Sequence, residues 1–113
     1  PKYLKISHVF VRPSRSEGLG ISFLEAMAAG LPIIGTSVGG IKDFLVNSQT
    51  GLVCDGSFED LANKISSIIE NDKLKSELIE NAVKVVKEKY DWDKIVPEYA
   101  KIYEQIINRY TGL

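Results

Sequence analysis

Two carboxylates flank a short glycine-containing segment near the start of the chain. Glu17 comes directly before Gly18-Leu19-Gly20, and Glu25 follows within a run of strong helix formers that begins at Ile21. Carboxylates accept strong hydrogen bonds from hydroxyl groups, and glycines let a ligand approach the main chain closely. A helix that starts here would offer the amides of residues 18–21 to a phosphate. The pattern predicts a site for a ligand that carries hydroxyl groups on both sides of a diphosphate.

Structural explanations for the same residues stay open at this point. Gly18 and Gly20 also suit a tight turn that binds nothing, and Ser22 with Glu25 has the spacing of a helix capping box. Glu17 would then be an exposed loop residue. The segment lacks the Gly-x-x-x-x-Gly-Lys-Ser/Thr pattern of a P-loop and the third glycine of the dinucleotide fingerprint. The glycines alone therefore do not assign a phosphate site.

Composition argues against several functional classes. The chain has 113 residues, with 14 Lys and Arg against 15 Asp and Glu and a net charge of −1. It lacks the basic excess with which nucleic-acid-binding proteins neutralise phosphates. One Cys and one His preclude an intrachain disulfide and fall short of the roughly four ligands of a structural zinc site. We therefore expect no nucleic acid, no metal and no cofactor, and a reducing, cytoplasmic setting.

The sequence shows no apolar run that approaches the roughly 20 residues needed to cross a bilayer. Residues 1–5 are not followed by the apolar region of a signal peptide. The chain opens on Pro1 with only a short approach to its first predicted strand. We therefore expect residues 1–113 to form a single partial domain of a longer protein.

The first half of the sequence alternates predicted strands with predicted helices. Strands are predicted at residues 6–12, 33–36 and 51–54, and helices at residues 21–29 and 39–45. His8 would open the first, buried strand, and the first helix would be buried on all sides. This alternation predicts an α/β fold with a parallel sheet. Residues 1–56 would form the core that carries the site, because ligands of such sheets bind where strands pass into helices.

Helices are predicted for residues 57–113. Ser57, Asn71 and Asp91 have the residue types that cap helix starts, and Phe58 belongs to the apolar face of the first helix. Pro97 predicts a kink or a later start in the third helix. That helix carries an apolar stripe that we expect to pack in the core or against another domain: Trp92, Ile95, Val96, Tyr99, Ile102, Tyr103, Ile106, Ile107 and Tyr110.

The run from Glu17 to Glu25 resembles the E-x7-E region of retaining glycosyltransferases of family 4. The resemblance continues through Ala26-Met27-Ala28-Ala29-Gly30-Leu31-Pro32-Ile33-Ile34 and Gly39-Gly40, and covers about the first half of the chain. It is specific because glutamates, small-residue helix, Gly-x-Pro strand start and glycine pair agree in order. It implies an α/β fold: a Rossmann-like parallel sheet, part of the C-terminal domain of a GT-B fold, followed by C-terminal helices.

The resemblance also implies a donor site for a nucleoside-diphosphate sugar. Glu17 would be the catalytic-centre residue that contacts the donor sugar hydroxyls, as a positioning residue rather than a nucleophile. The amides of residues 18–21 would hold the donor sugar and its diphosphate, and Glu25 would bind the ribose hydroxyls. Such enzymes transfer the sugar to an acceptor hydroxyl with retention of configuration and need no essential metal.

Two residues depart from the family pattern. His8 stands where the family usually has Asp, and Asp43 replaces the usual Glu after the glycine pair, which leaves a contact of Asp43 with the ligand open. The resemblance implies that an N-terminal acceptor domain lies in a parent protein and that this chain alone is inactive. The alternatives are a non-catalytic nucleotide-sugar-binding module and a structural half-domain that depends on assembly with a partner.

Overall fold

The chain folds around a small parallel sheet. The structure, a computed structural model, describes residues 1–112. Its three strands lie side by side in sequence order: β1 (Phe10–Arg12), β2 (Ile33–Gly35) and β3 (Leu52–Val53). Both pairings are parallel, with Phe10 opposite Ile33 and Ile34 opposite Leu52. The predicted α/β class with a parallel sheet is confirmed.

Helices connect the strands and extend beyond the sheet. α1 (Lys2–Ile6) precedes β1, and α2 (Ile21–Ala28) joins β1 to β2. A 3₁₀ helix at Gly39–Asp43 lies between β2 and β3. The remaining helices follow β3: α3 (Phe58–Glu70), α4 (Asp72–Val85), a π-helical turn at Val86–Tyr90, and α5 (Trp92–Thr111).

The first strand is shorter than the sequence predicts. Ile6, expected to begin the strand, is the last residue of α1, and β1 begins only at Phe10. A strand extends only as far as its partner offers backbone groups for pairing, and β2 begins at Ile33, the partner of Phe10. His8 lies exposed ahead of the strand. The prediction that it opens a buried strand is therefore wrong.

Phe23 on α2 is at the centre of the core on one face of the sheet. Its side chain is fully buried, and its ring centroid lies 5.1 Å from that of Phe10 and 6.0 Å from that of Phe44. Gly35 makes room for this ring, because a Cβ there would lie 2.8 Å from it. α2 is not buried on all sides as predicted, since Ile21 is 62% exposed. A helix that covers a sheet buries only the side that meets it.

α3 and α4 cover the opposite face of the sheet. Ile68 of α3 and Leu78 of α4 pack with Ile34 and Leu52. Consecutive residues of a strand point to opposite faces, and Ile33 accordingly joins the cluster around α2. The central strand is therefore buried on both sides, as parallel strands usually are.

The starts of α3 and α4 are capped where the sequence predicts. Ser57 accepts a hydrogen bond from the Asp60 amide at 3.2 Å, and Asn71 accepts one from the Leu74 amide at 3.0 Å. Phe58 is 96% exposed rather than part of an apolar face. Side chains tilt toward the N-terminus of a helix, so the first residue of α3 extends beyond its packed turns.

α5 exposes its apolar stripe. The helix begins at Trp92 after its Asp91 cap and runs through Pro97, so the predicted later start is wrong. Trp92 is 75% exposed and Tyr103 is 64% exposed, so neither joins the core of this chain. Packing of the stripe against another domain stays a prediction. No helix among residues 1–112 combines the length and hydropathy that a bilayer span requires.

Truncating Phe23 tests the placement of the core. Phe23→Ala should lower the free energy of unfolding by about 3–5 kcal/mol, because it leaves a cavity among close-packed aromatic rings. The matched control is Phe58→Ala, the same change at an exposed side chain, which should alter that free energy by less than about 0.5 kcal/mol. Urea denaturation followed by circular dichroism measures both. Equal losses in the two variants would contradict this placement of Phe23.

Candidate functional site

The loop between β1 and α2 ends on a glycine with left-handed geometry. Gly20 has φ 81° and ψ 46°, and it directly precedes Ile21, the first residue of α2. L-residues rarely adopt a positive φ, so this position favours glycine. Within residues 1–112 no side chain caps the start of α2. The amides of Ile21 and Ser22 have no intrahelical carbonyl to bind, and they carry the positive end of the helix dipole.

The capping-box explanation of Ser22 and Glu25 is wrong. Ser22 is the second residue of α2 rather than its N-cap. Its hydroxyl accepts a hydrogen bond from Arg12 Nη1 at 2.9 Å. The side chain that would close such a box, Glu25, lies one turn into the helix and is exposed. The start of α2 is therefore determined by Gly20 and not by a reciprocal side-chain cap.

Glu17 is held by two side chains. Its own side chain is 15% exposed, and its Oε2 lies 3.4 Å from Arg12 Nη2. The Ser14 hydroxyl donates a hydrogen bond to the same oxygen at 3.0 Å. The carbonyl of Ser14 in turn accepts a hydrogen bond from the Thr36 hydroxyl, just after β2. The alternative that Glu17 is an exposed loop residue is therefore wrong.

Sequence reasoning did not identify Arg12 as part of the site. Arg12 is the last residue of β1, and its side chain is 50% exposed. The available signal was a charged residue at the end of an otherwise apolar strand, directly before the Pro13-Ser14 turn. Such a position lies at the carboxyl edge of the sheet, where ligand sites of α/β folds form. The pairing of Arg12 with Glu17 is visible only once the loop has folded back.

Gly39 and Gly40 pack directly against the loop. The Gly40 amide donates a hydrogen bond to the Gly18 carbonyl at 2.8 Å. A Cβ at Gly40 would overlap that carbonyl oxygen, and a Cβ at Gly39 would overlap the carbonyl oxygen of Glu17. Only glycine lets two backbones approach this closely. Gly18 differs, because a Cβ there would meet no atom within 4 Å.

The carboxyl ends of the three strands line a cavity of about 450 Å³. Ser14 follows β1, Thr36 follows β2 and Asp55 follows β3, and all three contribute to its wall. Hydrogen bonds from the side chain and backbone of Ser57 hold the pKa of Asp55 below its usual range, so this carboxylate is ionised at neutral pH. The Ser14 hydroxyl donates a hydrogen bond to Glu17, which connects the wall of this cavity to the residue that precedes the glycine loop. Residues 1–112 contain no group of three or more His, Cys, Asp or Glu placed to hold a metal ion.

Leu19, Ile21 and Glu25 lie on the outer surface of the loop and α2. Leu19 is 48% exposed and Ile21 is 62% exposed. With Tyr90 and Trp92, these three residues line an apolar groove along α2. Glu25 follows the helix start by one turn, roughly 6 Å along the axis. The structure therefore brings Glu17 and the glycines into one unit with Arg12, whereas Glu25 belongs to the neighbouring groove.

Asp43, the residue that departs from the family pattern, ends the 3₁₀ helix and is exposed. Partial burial raises the pKa of Tyr90, and the charge of Asp43 adds to this rise. The next residue, Phe44, packs edge-on against Tyr90 at a centroid distance of 6.0 Å. Asp43 therefore lies beside a residue that packs against the π-helical turn before α5.

Gly40→Ala tests the contact between the two glycine segments. The added methyl group would overlap the Gly18 carbonyl, so we expect a loss of about 1–3 kcal/mol in the free energy of unfolding. The amide NMR signals of residues 17–21 should also shift. Gly18→Ala is the matched control, since its methyl group enters open space and should leave stability within about 0.5 kcal/mol of the original. Wild-type stability and unmoved loop signals in Gly40→Ala would contradict the contact.

Comparison with known proteins identifies the family. Glycosyl transferases group 1 is the family that matches, over residues 1–85. A protein named as an uncharacterised glycosyltransferase, from Methanocaldococcus jannaschii, is 35% identical over 105 residues, which cover 92% of this chain and 30% of that protein. The structure of sucrose-phosphate synthase from Thermosynechococcus elongatus matches with a TM-score of 0.89 and 30% identity, over 95% of this chain and 27% of that one.

A further solved structure supports the fold alone. The Anabaena protein HepE in complex with UDP-glucose matches with a TM-score of 0.77 and 23% identity, over 100% of this chain and 30% of that one. The chain spans less than a third of the length of the curated relatives it matches. These likenesses confirm the predicted Rossmann-like α/β architecture of a GT-B glycosyltransferase. With three quarters of its length matched, residues 1–85 of 113, the chain belongs to the glycosyl transferases group 1 family.

Proposed function

We propose that the chain is the donor-binding portion of a retaining glycosyltransferase, which transfers a sugar from a nucleoside-diphosphate sugar to an acceptor hydroxyl. The observation that carries this proposal is the Glu17 carboxylate, held by Arg12 and Ser14 at the entrance of a glycine loop that opens a helix. The loop offers backbone N–H groups to anionic oxygens, and the carboxylate offers an acceptor to hydroxyls. A nucleotide sugar carries both kinds of group.

Each residue of the site has a distinct role in the proposal. Both contacts of Glu17 use Oε2, so Oε1 is the oxygen that meets the donor sugar hydroxyls. The amides of residues 18–21 hold the donor sugar and diphosphate, and the open space beside Gly18 admits the ligand to the main chain. Glu25 accepts hydrogen bonds from the ribose hydroxyls, one helical turn from the diphosphate.

The proposed transfer requires no metal ion. The acceptor oxygen bonds to the anomeric carbon as the bond from that carbon to the diphosphate breaks, and the acceptor proton passes to a phosphate oxygen on the same face. The helix N-terminus stabilises the charge that develops on the leaving diphosphate, as a cation would. Glu17 positions the donor sugar and does not form a covalent bond to it.

The remaining parts of the enzyme lie outside this chain in the proposal. The matched relatives are more than three times as long as the aligned segment, and an N-terminal domain would supply the acceptor site. Within the chain, residues 1–56 carry the donor site and residues 57–113 support it. In the proposal the donor is a nucleoside-diphosphate sugar, the class of ligand to which the UDP-glucose of the Anabaena structure belongs, and the transfer takes place in the cytoplasm.

Donor titrations followed by NMR test the binding role. UDP-glucose, GDP-mannose and ADP-glucose are added separately to the 113-residue chain, and at least one should shift the amide signals of residues 18–21. Gly18→Ala should fold normally but bind that donor about tenfold more weakly or worse, a loss of roughly 1.4 kcal/mol, because its methyl group occupies the ligand's place. Ser66→Ala, an exposed change on α3, is the control and should bind as the original chain does. If none of the three donors shifts these amide signals, or if Gly18→Ala binds the donor with unchanged affinity, the proposed donor-binding role of residues 18–21 is refuted.

Sugar transfer by the full-length protein separates an enzyme from a binding module. Glu17→Ala should lower kcat/KM by about 100-fold or more, because the donor sugar loses its orienting contact. Radiolabelled donor and chromatographic separation of the product measure this loss. A full-length protein that binds donor yet turns over neither donor nor acceptor would favour the non-catalytic module. Sugar transfer by the 113-residue chain alone would refute the proposal that the acceptor site lies in another domain of the parent protein.

One observation favours assembly as an additional role of the chain. The apolar stripe of α5 is exposed except at Ile95, which is partly buried, and runs from Trp92 at 75% to Tyr110 at 82%. Exposed apolar surfaces of this extent mark contacts with other protein surfaces. In the proposal this stripe packs within the parent enzyme, so that donor binding and assembly are properties of the same chain. The alternative of a purely structural half-domain lacks an explanation for the held carboxylate of Glu17.

A further inference from the structure

Arg12 spans the glycine loop from one end to the other. Its Nη1 donates a hydrogen bond to Ser22 Oγ at 2.9 Å, and its Nη2 lies 3.4 Å from Glu17 Oε2. Glu17 precedes the loop, whereas Ser22 is already in the first turn of α2. One planar guanidinium group therefore connects both sides of residues 18–21. A strand residue, not a loop residue, provides this connection, because Arg12 ends β1.

The loop that Arg12 spans has little rigidity of its own. Gly18 and Gly20 give its backbone more conformational freedom than other residues would. Leu19 is half exposed and adds no core packing. The paired strand β1, in contrast, is hydrogen-bonded to β2 through Phe10, Val11 and Arg12. Arg12 thus fixes Glu17 and Ser22, the two residues that flank the loop, relative to the sheet.

The contact also determines the orientation of the Glu17 carboxylate. Arg12 forms an ion pair with Oε2 and Ser14 donates a hydrogen bond to the same oxygen, and together these two contacts restrict rotation of the carboxylate. A side chain that is 15% exposed would otherwise lose hydration without compensation. The planar guanidinium group can pair with the Glu17 carboxylate through one nitrogen and bind Ser22 through the other. A lysine ammonium is a single point charge on a flexible stem and does not offer this fixed pair of contacts.

We propose that Arg12 is a positioning residue for the donor site, which holds the Glu17 carboxylate and the first turn of α2 in fixed relation across the glycine loop. This inference rests on the proposed donor role of Glu17. Arg12 acts through Glu17 and does not itself contact the donor. Its neighbour Arg15 is also a loop-region arginine and is exposed, which makes it the matched control.

The structural part of the inference is tested without any substrate. Arg12→Gln in the 113-residue chain should shift the amide signals of residues 17–22, whereas Arg15→Gln should leave those signals in place. Arg12→Lys keeps the charge but not the two-point contact, so it should shift the Ser22 amide as Arg12→Gln does while retaining the fold. Unmoved signals in both Arg12 variants would overturn the inference, whatever the function of the chain.

The functional part is tested by a double-mutant cycle in the full-length protein. Arg12→Gln should lower kcat/KM by about 10- to 100-fold, because small displacements of positioning groups have effects of this size. In a Glu17→Gln background the same change should produce little additional loss, because its effect passes through Glu17. Lys73→Gln, a change at an exposed side chain of α4, should leave turnover unchanged. Losses that multiply in the double variant would overturn the inference, since Arg12 would then act on the donor directly.

The two proposals can fail separately. If Arg12→Gln shifts the loop signals but Glu17→Gln leaves transfer unchanged, the proposed donor role of Glu17 is refuted. The proposed effect of Arg12 on transfer is then refuted as well, because it depends on that role. If Glu17→Gln lowers transfer but Arg12→Gln neither shifts the signals nor lowers turnover, only the inference about Arg12 is refuted. Shifted signals together with losses that do not multiply support both.

Discussion

The contact between the backbones of Gly18 and Gly40 determines where the candidate site can form. One hydrogen bond of 2.8 Å joins the loop after β1 to the turn after β2. Because the two strands are parallel, both segments leave the sheet at the same edge. Side chains at Gly39 or Gly40 would separate them. The site therefore depends on the absence of a side chain at Gly39 and Gly40.

The electrostatic arrangement around Glu17 follows from that contact. Once the loop is pressed against the glycine pair, its acidic side chain is largely removed from solvent and requires partners. Arg12 at the end of β1 supplies a charge, and Ser14 in the turn after it supplies a hydroxyl. The carboxylate is thus oriented by its own neighbours, and in the proposed donor site this would reduce the ordering cost of binding. The Glu25 carboxylate is not oriented in this way, because it lies on the exposed side of α2.

Local signals in the sequence were sufficient for most of the secondary structure. Apolar runs located β2, Gly30 ended the first helix with a left-handed φ of 77°, and Asn71 capped α4. Features that depend on distant parts of the chain were not accessible in this way. The start of β1 depends on where its partner strand begins, and an apolar pattern on α5 does not say what covers it.

The same limit applies to the candidate site. Glu17 and the glycines could be selected from residue types and spacing, because carboxylates and flexible main chain suit a particular ligand chemistry. The partners of Glu17 could not, since Arg12 and Ser14 reach it only after the chain turns at Pro13.

A phosphate seat built from amides has a property that side-chain sites lack. Every residue type except proline supplies the same N–H group, so this part of the surface keeps its chemistry when the sequence around it changes. In the proposed donor site, Leu19 and Ile21 contribute such amides while their side chains are 48% and 62% exposed. On that proposal their side chains would be free to vary in size and polarity without changing the anion-binding groups. Ligand preference and anion binding would then depend on different atoms of the same residues.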